Sequence, residues 1–170
     1  MSKHLKAVIG LITALLLLSG CSASFDEEQD AAKLAVEEAF DEEPIKPNKD
    51  SEVINFHIPF GFEIEEETPN NVLLKNGSKN YILFYNQHEG SDSQVVYNST
   101  VQQNEKYDVN ETFTKDKKFG YILIRKLDDD LNSLTVGIGG VKLTTEIKTR
   151  NLASEAEIMM DIVNSVKLQQ

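Results

Sequence analysis

The sequence predicts an α+β domain: six to eight mostly antiparallel strands with a packed C-terminal helix, after an acidic N-terminal tether of partly helical character. Three observations predict it. From Ser51 the apolar residues fall on a period of two, with Ile54, Phe56, Ile58, Phe60, Phe62 and Ile64 all at even positions. Asn76-Gly77, a hairpin signal, then separates two apolar runs. Near the end Leu152, Ala156, Met159, Val163 and Val166 recur at alternating spacings of four and three, which is one face of a helix.

The chain opens on a different pattern. Met1–Lys6 carries Lys3, Lys6 and no acid, and Ala7–Leu18 is apolar except for Gly10 and Thr13. A positive stretch followed by a short apolar run is the layout of an export signal. The run falls short of the roughly 20 residues that span a bilayer. Leu18-Ser19-Gly20-Cys21 follows, and it resembles the bacterial lipobox. That resemblance implies cleavage before Cys21 and a diacylglyceryl group on its thiol, with the new amino group open to acylation. Cys21 is the only cysteine, so its role is read as lipidation. Two acyl chains anchor stably where one does not. The expected organisation is residues 1–20 as a removed signal, 21–50 as lipidated terminus and acidic tether, and 51–170 as a single domain. The expected location is the extracytoplasmic face of the cell membrane.

Removal of residues 1–20 takes Lys3 and Lys6 but no acid, moving the formal charge from −11 to −13. So acidic a chain lacks the basic face a nucleic acid requires. It is also repelled by anionic headgroups. Arg125 and Arg150 are the only arginines, and the lysine and asparagine richness fits an AT-rich Gram-positive source.

"FDEEQDAAKLAVEEAFDEE" (25–43) holds nine acids and one lysine. Phe25, Ala32, Val36 and Phe40 share a thin stripe, which predicts a helix over about 27–40 that docks weakly or binds a partner. Pro44 and Pro47 then end the helix. Strands are expected at 53–58 and 61–66, joined by a kink at Pro59 and Gly61, with one face buried and one wet. "NVLLK" and "NYILFYNQ" form the hairpin around Asn76-Gly77, and the second is apolar on both faces, as for a strand covered on both sides. "QVVYNSTVQQNEKY" (94–107) reads equally as helix or strand. "NETFTKDKK", "FGYILIRKL", "LNSLTVGIGG" and "VKLTTEIK" supply further strands, with turns at Asp128–Asp130 and Gly139-Gly140. The final helix has Asn151 or Ser154 as cap, and Ser154 with Glu157 fits a capping box.

Taken together, "INFHIPFGFEIEEE", "VLLKNGSKNYILFYNQ", the later strands and "EIMMDIVNSVK" resemble PsbP/Mog1-like domains over about 51–168. That fold shares no catalytic set, so the resemblance transfers no functional residue; its members act mostly as binding or assembly modules.

No reaction centre is legible. His57 sits on a strand's polar face and His88 in a loop, with no ligand spacing between them. "HEGSD" (His88, Glu89, Asp92) and Asp128–Asp130 read as polar turns rather than cation loops, and Glu63–Glu67 as a solvated face. Tyr81, Tyr85, Tyr97, Tyr107 and Tyr121 read as core edges, with a ligand pocket as the alternative. "GIGG" lies between strands instead of opening a helix. No catalytic, cofactor-binding or metal residue is assigned. The expected function is a non-enzymatic binding or assembly module of the cell envelope with an envelope protein as partner. The alternatives are a carrier of a small apolar or peptide ligand and a hydrolase using dispersed serines or carboxylates.

Overall fold

A computed structural model describes residues 24–103 and 106–169. Helix α1 (Phe25–Asp41) comes first, then β1 (Lys49–Asp50), β2 (Ile54–Phe56), β3 (Phe62–Thr68), β4 (Asn71–Asn76) and β5 (Lys79–Tyr85). Helix α2 (Val95–Val101) precedes β6 (Val109–Lys115), β7 (Lys118–Lys126), β8 (Leu131–Ile138) and β9 (Val141–Lys148). A 3-10 turn (Thr149–Asn151), α3 (Leu152–Asn164) and β10 (Lys167–Leu168) close the chain. The α+β expectation holds. Seven strands form an antiparallel sheet in the order β3-β4-β5-β9-β8-β7-β6, and β1-β2-β10 form a small second sheet.

Helices α1 and α3 lie side by side on one face of the large sheet. Their stripes meet over Leu134, Val136, Leu143, Ile122 and Ile124, all fully buried. The two helices also satisfy each other's ends. Glu28 of α1 accepts from the Ala153 N–H in the first turn of α3 (3.4 Å). Asn164 at the other end donates to the carbonyls of Ala39 and Glu42 (3.2 and 3.1 Å). These are the groups a helix leaves unpaired at its termini.

Residues 25–41 are therefore part of the domain, which corrects the reading of 22–50 as a tether. Ala32, Val36, Ala39 and Phe40 are buried. The stripe is thin because small side chains let α1 approach α3 closely. Its start is well defined: Ser24 and Glu27 form a reciprocal capping box, and those hydrogen bonds hold the Glu27 carboxyl below its ordinary value. The box expected at Ser154 does not form. Asn151 is the N-cap without a side-chain bond, and the Ser154 hydroxyl donates back to the Asn151 carbonyl (3.3 Å).

The even-numbered run divides between the two sheets. Ile54, Phe56 and Ile58 are buried around β2, Phe62 and Ile64 pack from β3, and Phe60 in the connecting turn is fully exposed. A bulge between Ile64 and Glu66 in β3 completes the change of direction. At the β4–β5 hairpin Gly77 takes φ 61° at the first of two loop positions, where glycine is favoured. The β6–β7 loop has the same length, yet Asp116 (φ 50°) and Lys117 (φ 64°) sit in the left-handed region without being glycine. Lys117→Gly should relieve that strain, partly offset by the greater freedom of glycine in the unfolded chain. A gain of about 0.5 kcal/mol is expected, read as a higher denaturant midpoint at unchanged slope.

Candidate functional site

The large sheet has a second face, and α2 covers only part of it. Tyr97 of α2 packs edge-on against Phe119 (ring centroids 5.4 Å) and against Tyr121 (5.2 Å), and Val101 and Tyr107 complete that cluster over Leu123. Tyr121 reaches under the helix because Gly137, its cross-strand partner, has no side chain; a Cβ there would lie 2.3 Å from the ring.

The remainder of that face is open. Leu73, Ile82, Thr144, Thr135 and Leu123 form one register row across β4, β5, β9, β8 and β7. The row is sealed at Leu123 and uncovered at Ile82, which is 51% exposed. Thr135 and Thr144 share a hydrogen bond at its middle (2.9 Å). Leu73, Ile82 and Thr144 of this row, with Asn80, Ser133 and Glu146, border a groove of about 820 Å³ that runs on to Leu131 and Lys148. The reading of "YILFY" as covered on both sides is thus corrected. Tyr81, Leu83 and Tyr85 face the helices, while Ile82 and Phe84 face outward. The signal was present in the neighbouring strand: Lys142, Thr144, Glu146 and Lys148 alternate on one face of β9, which pairs with β5.

Behind the sheet, at the same end, lies a buried carboxylate. Glu155 of α3 is 4% exposed; it accepts from the Tyr81 hydroxyl (2.5 Å) and pairs with the Lys79 ammonium. Burial first, then the hydrogen bond and charge of Glu155, push the Tyr81 phenol far above its ordinary value. Tyr81 stays protonated and serves as a donor. The three groups join β5 to α3, and they arrange a structural tie. Sequence reasoning missed Glu155, since it falls inside an otherwise apolar stripe.

The residues singled out from the sequence are dispersed. Cys21 and the rest of the lipobox lie outside the described residues. His57 is half-buried just after β2, with its N–H donating to the Ser165 hydroxyl (2.8 Å), rather than on a wet strand face. His88 is exposed in the loop after β5. In the "HEGSD" loop Glu89 accepts from Ser93, and the carbonyls of Gly90 and Ser91 accept from the N–H groups of Gly140 and Phe119, fastening the loop to the β8–β9 turn and to the start of β7. Asp128–Asp130 close the β7–β8 hairpin, with Asp130 paired to Lys148 (3.7 Å). Tyr81 and Tyr85 lie on the helix side of the sheet, and Tyr97, Tyr107 and Tyr121 on the other. Residues 95–101 of the ambiguous segment are helical. Among the described residues, no three His, Cys, Asp or Glu side chains gather as a metal set, and no helix is long and apolar enough to cross a membrane.

Asp161, on α3 near His57, has its carboxyl raised, first by burial and then by Glu157 and Glu42, with His57 acting in the opposite sense. A carboxyl raised in the folded state adds stability below its unfolded value, and that contribution is lost as pH rises through the folded value. Asp161→Asn should therefore raise the melting temperature at pH 7 and change little below the ordinary aspartate value of 3.8. Thermal melts across that range check the sign.

No protein-family model matches the chain, and no curated protein matches it. Among solved structures, a protein of Bacteroides thetaiotaomicron VPI-5482 solved at 1.50 Å is similar, with a TM-score of 0.38 and 12% identity. The match covers 69% of this chain and 45% of that one, so the chain spans under half of that structure's length.

Proposed function

We propose that this protein is a membrane-anchored extracytoplasmic lipoprotein, lipidated on Cys21, that works as a non-enzymatic binding or assembly module of the cell envelope. The supporting observation is the uncovered part of the second sheet face, where Ile82 and Leu73 stand beside the hydroxyls of Thr144 and Ser133. A mixed surface of this kind suits contact with another protein. Carriers of small apolar ligands enclose most of the ligand surface. This groove lies open along the strands, which favours the protein partner over the carrier. The resemblance of 51–168 to PsbP/Mog1-like domains points the same way by analogy.

The test is a photocrosslinking residue placed at Ile82 in living cells, with Leu34 (58% exposed on α1) as control. A defined envelope protein captured from position 82, not from 34, and lost in Cys21→Ala supports the reading. Identical capture from both positions overturns it. Ile82→Lys should abolish a crosslink made from position 144 while changing stability by no more than about 0.5 kcal/mol, because the side chain is half exposed. A small molecule retained in native mass spectrometry would favour the carrier instead.

A further inference from the structure

Resting on the anchor reading of Cys21, we infer that the bilayer lies directly against one end of the domain, the end formed by the start of α1, the β7–β8 turn and the Thr149–Asn151 turn. A tether over 22–50 would let the domain stand far from the membrane, since 29 extended residues reach about 100 Å. The docked α1 removes almost all of that length. Phe25 packs against the core and under the Lys126 ammonium (5.9 Å), and Glu28 is bonded to α3. Only Ser22, Ala23 and Ser24 separate Cys21 from the helix. Whatever their conformation, four residue steps cover at most about 14 Å.

The position of the remaining groups follows from the strand directions. β7 ends at Lys126 and β8 begins at Leu131, beside the start of α1. Leu127 in the turn between them is 38% exposed. Arg150 and Lys148 are exposed at the same end, but Lys148 pairs with Asp130 and the acids Asp26, Glu27, Asp128 and Asp129 stand beside them, so the short lipid link rather than headgroup attraction holds this end at the bilayer. The loop around Gln87 and the β8–β9 turn occupy the far end of the sheet. β8 has eight residues, which separates the two ends by about 25 Å. Leu131, Lys148 and Asn151 also border the groove. The groove therefore opens beside the lipid surface, and its partner meets it there.

The test uses the full lipidated protein in vesicles of phosphatidylglycerol and phosphatidylcholine carrying a lipid-linked energy-transfer acceptor. Leu127→Cys and Gln87→Cys are labelled with a donor dye; the native thiol carries the lipid, so the new one is the sole reactive site. Stronger transfer from 127 than from 87 is expected. A flexible Gly/Ser insert of about 20 residues between Ala23 and Ser24, with a mean span of about 25 Å, should lower transfer and remove the difference. Equal transfer from both positions in the protein without the insert, with the lipid confirmed by intact mass, overturns the inference alone. An intact mass without lipid overturns the anchor reading and the inference with it.

Discussion

Phe40→Ala is expected to destabilise the domain by about 4 kcal/mol, a large share of the 5–15 kcal/mol that holds a typical domain folded. Phe40 is 2% exposed at the C-terminal end of α1. Its ring meets Phe113 of β6 (centroids 6.0 Å), and the Lys118 ammonium lies 5.7 Å from its centre. The ring rests on Gly120 of β7, where a Cβ would stand 2.7 Å from the Phe40 Cε2. The strand has no side chain at the point where the helix inserts one. For a domain of this size the loss corresponds to roughly 10 °C in melting temperature. Leu34→Ala, on the exposed side of the same helix, should stay within about 0.5 kcal/mol. Gly120→Ala should be costly in the natural protein and much less so beside Phe40→Ala, a coupling that a double-mutant cycle reads directly. An unchanged melting temperature for Phe40→Ala would return residues 25–41 to the role of a tether and remove the basis for placing the bilayer.

The second large effect is expected at Glu155. Glu155→Ala leaves the fully buried Tyr81 hydroxyl without its acceptor and Lys79 without its partner, at a cost of about 3 kcal/mol. Lys79 is about one-third exposed and can turn to water, so most of the loss falls on Tyr81. Replacing both members should be far milder: Tyr81→Phe with Glu155→Leu removes donor and acceptor together and keeps the volume. Recovery of most of the lost stability in that double variant, measured by urea denaturation, identifies the contact as a structural tie. A double variant as unstable as Glu155→Ala would contradict it.

Much of the domain was readable because periodicity records locally which side of an element is buried. The strands at "FGYILIRKL" and "VKLTTEIK" and the apolar stripe of α3 each appear as expected. The acidic helix was readable too, within two residues at its start and one at its end. The site was less so. A run such as "YILFY" reads the same whether its outer face is covered by a helix or left open, since apolar residues are tolerated at a half-exposed groove. The decisive fact is the shortness of α2, which ends at Val101, packs its rings over β7 and meets β9 through the Lys142–Thr100 hydrogen bond (3.0 Å).

Neighbouring residues alone specified the kind and order of most elements, the hairpin at Gly77 and the expectation of a lipid on Cys21, while leaving 94–107 open between helix and strand. Packing between distant elements settled that α1 belongs to the core, that Phe60 is exposed while Phe56 and Phe62 are buried, and that part of one sheet face stays open. Those outcomes depend on partners more than a hundred residues away, as Glu28 with Ala153 and Asn164 with Ala39 illustrate. A stripe of alanines carries little hydrophobic signal of its own; it becomes a packing surface when α3 presents a face close enough to use it.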